Sequence, residues 1–144
     1  MAHEDAGHYK AKHSAGRKLN EAAAAAVREK AESGKISCAD AARIAVRLKI
    51  GMPDVGETID LLEIQLVKCQ LGLFGYSPEK IIVKPAAKVG SDLEEAIRGA
   101  LVKGRLPCAA AWEIADRTGR SRMDVSSACE ALKIKIKPCQ LGAF

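Results

Sequence analysis

The sequence predicts a mainly α chain with small β-hairpins, an α+β class, in which one small module is written twice. Two observations carry this. Sliding the chain by 70 positions aligns 34–74 with 104–144 without a gap, and sixteen of the forty-one pairs are identical, including "CQLG-x-F" at 69–74 and 139–144. The hydrophobic residues make up 48% of the chain yet only 3% of it is aromatic, so the apolar content is mostly Ala, Ile, Leu and Val, which suits helices packed through small side chains.

The shared positions are apolar or small: Cys38/Cys108, Ala41/Ala111, Ile44/Ile114, Ala45/Ala115, Val55/Val125 and Leu62/Leu132 are among them. Two copies that share a core and differ on the surface produce this pattern. The offset continues upstream, where Ala26, Val27 and Arg28 meet Ala96, Ile97 and Arg98. The organisation that follows is a basic tail over 1–19, a first repeat over 20–75, a linker over 76–89 and a second repeat over 90–144.

Each repeat reads as three helices and a hairpin. "NEAAAAAVREKAESG" begins at an Asn20 cap with Glu21 in its first turn and stops at Gly34; "SDLEEAIRGALVKG" has Ser91 as cap and Gly104 as stop. The second helix starts at Ser37, with Asp40 three residues on, and at Pro107 in the other copy, a residue tolerated at a helix start. Val55, Ile59 and Leu62, matched by Val125, Cys129 and Leu132, lie four and three apart on one face of a third helix. "IQLVKCQLGLF" and "IKIKPCQLGAF" then read as short strands forming the hairpin. The linker holds two prolines and a β-branched run that predicts an edge strand before Pro85.

The second and third helices of copy two, "EIADRTGRSRMDVSSACEAL", resemble a helix-turn-helix. Ala115 is the small residue where helices cross, Gly119 sits in the turn and Val125 packs back. Copy one keeps Ala45 and Val55 but has Lys49 at the turn glycine's place, with Gly51 two residues later. With the hairpin added, the chain resembles a tandem winged helix-turn-helix protein, three helices plus a two-stranded wing per repeat. Such modules serve DNA binding and protein contact alike.

If the resemblance extends to DNA, the third helix offers donors to bases and the wing offers cations to phosphates. Copy two supplies both: Arg117, Arg120, Ser121 and Arg122 around the start of the third helix, Ser126 and Ser127 on its expected exposed side, and Lys133, Lys135 and Lys137 alternating with Ile134 and Ile136 so that three ammonium groups share one face. The competing reading of those lysines is a solvated charged face. Copy one is charge-balanced over 34–74 and its third helix is expected to expose Asp54, Glu57, Asp60 and Glu63, which repel phosphate. A dimerisation or sensing role suits it better.

Double-stranded DNA is therefore the expected partner of repeat 2, and a second copy or another protein that of repeat 1. The alternative is a non-enzymatic interaction scaffold whose winged helices bind protein, or a thiol- or metal-sensing variant. Cys38, Cys69, Cys108 and Cys139 are the thiols such a variant would use, but no CxxC spacing occurs and their flanks are small or apolar, so they read as core. The helix-start positions of Cys38 and Cys108 keep a redox role open. His3, His8 and His13 recur every five residues in the tail, a spacing that suits no compact zinc loop, and Lys10, Lys12, Arg17 and Lys18 make that tail basic. Trp112 stands where copy one has Ala42, and is expected to fill a seam or anchor a partner.

No histidine outside the tail, no phosphate-binding glycine loop and no paired acids support catalysis, so no enzyme and no cofactor are expected. No apolar run approaches the ~20 residues of a membrane helix. The polar start lacks a signal's apolar stretch, and the expectation is a cytoplasmic protein with reduced thiols. The net charge of +5 permits anionic partners.

Overall fold

The computed structural model describes residues 20–144. Its elements are α1 (Glu21–Lys30), β1 (Lys35–Ser37), α2 (Cys38–Leu48), α3 (Met52–Leu61), β2 (Gln65–Val67), α4 (Ser91–Gly99), α5 (Cys108–Thr118) and α6 (Arg122–Leu132). Six helices and a small sheet make the chain α+β. The 70-residue offset reappears in the elements, since α2 and α5 coincide under it residue for residue.

The caps explain the boundaries. Asn20 Oδ1 accepts from the Ala23 amide at 3.0 Å and Ser37 Oγ from the Asp40 amide at 3.1 Å. Ser121 and Asp124 form a reciprocal capping box at the start of α6. In α4 the N-cap is Gly90 rather than Ser91, which is already helical. Helices α1 and α4 stop short of Gly34 and Gly104, because the intervening residues turn back on themselves. Glu32 pairs with Lys35 and Val102 with Arg105 across a two-residue turn, with positive φ at Ser33 and Gly34 and at Lys103 and Gly104, as a type I′ turn requires.

Between α2 and α3, Lys49 adopts a left-handed conformation (φ 55°, ψ 44°), matching Gly119 (φ 67°, ψ 24°) between α5 and α6. The two turns share a geometry although one lacks the glycine. Gly51 instead caps α3, its amide donating to Asp54 Oδ2 at 3.2 Å. A left-handed lysine is disfavoured by about 1–2 kcal/mol, and glycine's extra freedom when unfolded offsets about half of that. Lys49→Gly is therefore expected to stabilise the protein by about 0.5–1 kcal/mol in urea denaturation.

The hairpin differs from expectation. Strand β2 pairs in parallel with β1, in the register Lys35–Gln65, Ile36–Leu66 and Ser37–Val67; in the second repeat the same place holds one parallel bridge, Leu106 to Ile136. Neither "CQLG-x-F" is a strand. The first strand's partner comes from between the first two helices, so the pair is already complete before the motif begins. In the second copy Pro138 also has no amide to give a return ladder. The expected edge strand before Pro85 is likewise absent among the described residues; the amides of Ile82 and Val83 donate to the Gly72 carbonyl instead.

The described residues divide into two compact units, 20–69 with 141–144, and 70–140. In the first, Ala23, Val27, Ile36, Ala41, Ile44, Val55 and Ile59 form the core; in the second, Leu93, Ile97, Leu106, Ala111, Ile114, Val125 and Cys129 occupy the matching positions. These units do not end where the repeats end. Gln70 to Phe74 belong to the second unit, and Leu141 to Phe144 to the first. Leu71 and Leu141 are both buried, at 0% and 4% exposure, so the Leu-Gly-x-Phe part of each motif packs in a different unit from the cysteine that opens it.

Candidate nucleic-acid interface

The nine residues expected to face DNA all lie in the second unit, and the structure sorts them into three groups. Lys133, Lys135 and Lys137 are exposed, with Ile136 buried between the last two. The backbone of Lys135 and Lys137 is held by Leu106, whose amide donates to the Lys135 carbonyl at 3.0 Å and whose carbonyl accepts from the Lys137 amide at 2.9 Å. Lys133 itself closes α6 in a left-handed conformation (φ 58°). Lys135 and Lys137 thus flank a buried Ile136 as alternation requires, while Lys133 belongs to the end of α6 rather than to an extended stretch.

The arginines are engaged. Arg117 pairs with Glu113 one helical turn back at 3.3 Å, an exposed contact worth little in water. Arg120 reaches Asp92 at 3.3 Å. The Leu93 amide first, and the Arg120 guanidinium second, hold the Asp92 carboxyl below its ordinary value. Arg122 lies over the Trp112 ring, 3.6 Å from its centroid, and donates to Gln70 Oε1. Trp112 is thus a platform for an arginine within its own unit, while its Nε1 finds no hydrogen-bond partner among the described residues.

The serines differ from one another. Ser121 is exposed and spent on the cap of α6. Ser127 is half-buried, and its carbonyl accepts from the Ala86 amide at 3.0 Å. Ser126 is fully buried, against the expectation of an exposed side, and its Oγ has no partner among the described residues. Helix α6 is buried more widely than its Val125, Cys129, Leu132 stripe implies, since Ser126 and Ala128 are buried too. A Cβ on Gly72 would come 2.5 Å from Met123 Sδ, which places the Leu71–Gly72 stretch against this helix. Sequence reasoning also missed Gln70, the partner of Arg122, and Asp92, the partner of Arg120. Neither carries a local motif that would have marked it.

Lys88, Arg120, Asp124 and Ser127 line a shallow cavity of about 250 Å³ with Ala86, Gly90, Leu93 and Ala128. Of its two cations, Arg120 is paired with Asp92, and Asp124 adds a carboxylate to the lining.

In the first unit α3 exposes Asp54, but Glu57 is half-buried, Asp60 is buried at 7% exposure, and Glu63, though exposed, lies in a left-handed turn beyond the helix, against the expectation that all four face outward from it. Gly56 lies against the backbone of Leu141 there. A Cβ at that position would sit 2.6 Å from the Leu141 carbonyl carbon and 2.8 Å from its Cα.

Of the thiols, Cys38, Cys69, Cys108 and Cys129 are buried and Cys139 is half-buried. Cys108 Sγ accepts from Gln140 Nε2 at 3.5 Å. Burial, reinforced by Glu130, pushes the Cys129 thiol up to about 12, which keeps it protonated and unreactive near neutral pH. Among the described residues no three His, Cys, Asp or Glu side chains come together as a metal site. The histidines and cations of the tail lie outside the described residues. No helix among the described residues is long and apolar enough to cross a membrane.

Comparison of the chain with protein-family models, with curated proteins and with solved structures finds no match.

Proposed function

We propose that the chain is a non-enzymatic, cytoplasmic, DNA-binding protein of the regulator type, built from two modules resembling winged helix-turn-helices, with the second unit gripping duplex phosphates. The observation that supports it is the exposure of Lys133, Lys135 and Lys137, the last two on backbone that Leu106 holds in place and the first at the end of α6. The supply of direct base contacts from α6 is reduced, because Ser126 is buried and Arg122 is stacked on Trp112. Phosphate contact then supplies most of the affinity, and binding is steeply salt-dependent.

Replacing Lys133, Lys135 and Lys137 together with Glu is expected to abolish retention on a duplex DNA column at low salt. With Ala instead, the slope of log affinity against log salt should fall by about 2–3, near 0.9 per lost phosphate contact. Retention of the Glu variant at the wild-type salt concentration would instead favour a protein-binding scaffold. That second reading draws support from Val46 on α2, 79% exposed, and from the cover over α3 and α6, the helices that would otherwise read a groove.

A further inference from the structure

The surface of α3 in the first unit is a shaped seat for a short peptide, and the segment in that seat is spelled twice in the chain. Gly56, in the middle of the helix, has no side chain, and the Leu141 backbone fills the space that one would take. Leu141 is 4% exposed and Ala143 8%, with Gly142 between them at φ 78°, so the docked segment is a turn that buries the residues on either side of its glycine. The occupant is borrowed, since 141–144 close the second repeat in sequence but pack in the first unit.

We propose that the Gly56 face of α3 is a docking site for a Leu-Gly-x-Phe segment, filled by residues 141–144 of the same chain and open to the same segment of a second copy. Every copy carries both the seat and the segment, and no covalent bond holds one on the other beyond the chain between them. Exchange of such an element between identical chains needs no new interface, only that the tethered copy vacate the seat. The chemistry recognised is a leucine side chain with backbone that approaches a helix at a glycine. The proposal is independent of DNA contact, and its failure leaves the three lysines untouched.

The test uses a fluorescent peptide of residues 138–144, PCQLGAF, under reducing conditions. In the full chain, Leu141→Asp should evict the tethered segment, because a carboxylate cannot remain in an apolar seat. Saturable anisotropy is expected for L141D. Wild type should bind at least ~10-fold more weakly, since a tethered segment competes at an effective concentration on the order of mM. L141D combined with Gly56→Val should not bind, the seat being filled. A folded L141D chain that ignores the peptide, or binding that G56V leaves unchanged, overturns the proposal.

If L141D does not fold, ¹⁵N-labelled wild type decides. The same peptide carrying a nitroxide at its N-terminus and raised to several mM, about the tethered concentration, should broaden the Gly56 amide resonance, and should do so less when its leucine is replaced by Asp. A Gly56 signal that the spin-labelled peptide leaves unbroadened overturns the proposal equally.

Discussion

Gly56→Ala is expected to destabilise the protein by about 1–2 kcal/mol, although it removes a glycine from the interior of a helix. Helix propensity alone argues the other way, by about 1 kcal/mol in favour of alanine. The added methyl, however, meets the carbonyl carbon and Cα of Leu141 inside van der Waals distance. Overpacking of a closed contact typically amounts to about 1–3 kcal/mol, and here the obstacle is backbone, which yields less than the end of a side chain. The clash therefore outweighs the propensity.

Two comparisons isolate the cause. Gly99, the last residue of α4, has open space where its Cβ would be, so Gly99→Ala should be neutral to stabilising by up to about 1 kcal/mol. In a chain that already carries Leu141→Asp, Gly56→Ala should change sign and stabilise, giving a coupling energy between the two positions that a double-mutant cycle measures. An additive cycle would mean that the segment does not rest on Gly56.

Leu71→Ala is expected to lose about 3 kcal/mol, within the 2–5 kcal/mol seen when a buried leucine is truncated. Position 71 lies in a stretch of turns with no regular secondary structure, where substitutions are usually tolerated. Its side chain is nevertheless fully buried, and the next residue's carbonyl accepts from the amides of Ile82 and Val83, which fixes the turn around it. Leu73→Ala, at a half-buried site two residues on, should lose about 1 kcal/mol or less. Urea denaturation followed by circular dichroism separates them, with a lower midpoint and unchanged slope for Leu71→Ala. Equal midpoints for the two variants would contradict the packing described.

The helices were legible because their signals are local. Asn20, Ser37 and Ser121 cap through bonds spanning three residues, and the spacing of Val55, Ile59 and Leu62 reports one buried face whatever covers it. The strands were less so. Residues 35–37 gave too short an alternation to mark a strand, and only their long-range partner at 65–67 makes them one. The exposure of Lys135 and Lys137 around a buried Ile136 follows the alternation in the sequence, whereas the left-handed turn at Lys133 that ends α6 was not part of that reading. The burial of Ser126 was not legible, because the Val125, Cys129, Leu132 stripe reports only one face of α6, and a second face is packed against Gly72, about fifty positions away in sequence, at Met123.

By itself the sequence determined the module: its duplication, its helices and the residues that meet inside each copy, all of which follow from short-range periodicity and from what two copies kept in common. Only the tertiary structure decided which "CQLG-x-F" fills which unit, and which cations near α6 remain free once Arg122 has Trp112 and Arg120 has Asp92. Those outcomes depend on pairs distant in the chain, whose meeting is set by the packing of whole elements and leaves no periodic trace in the residues themselves.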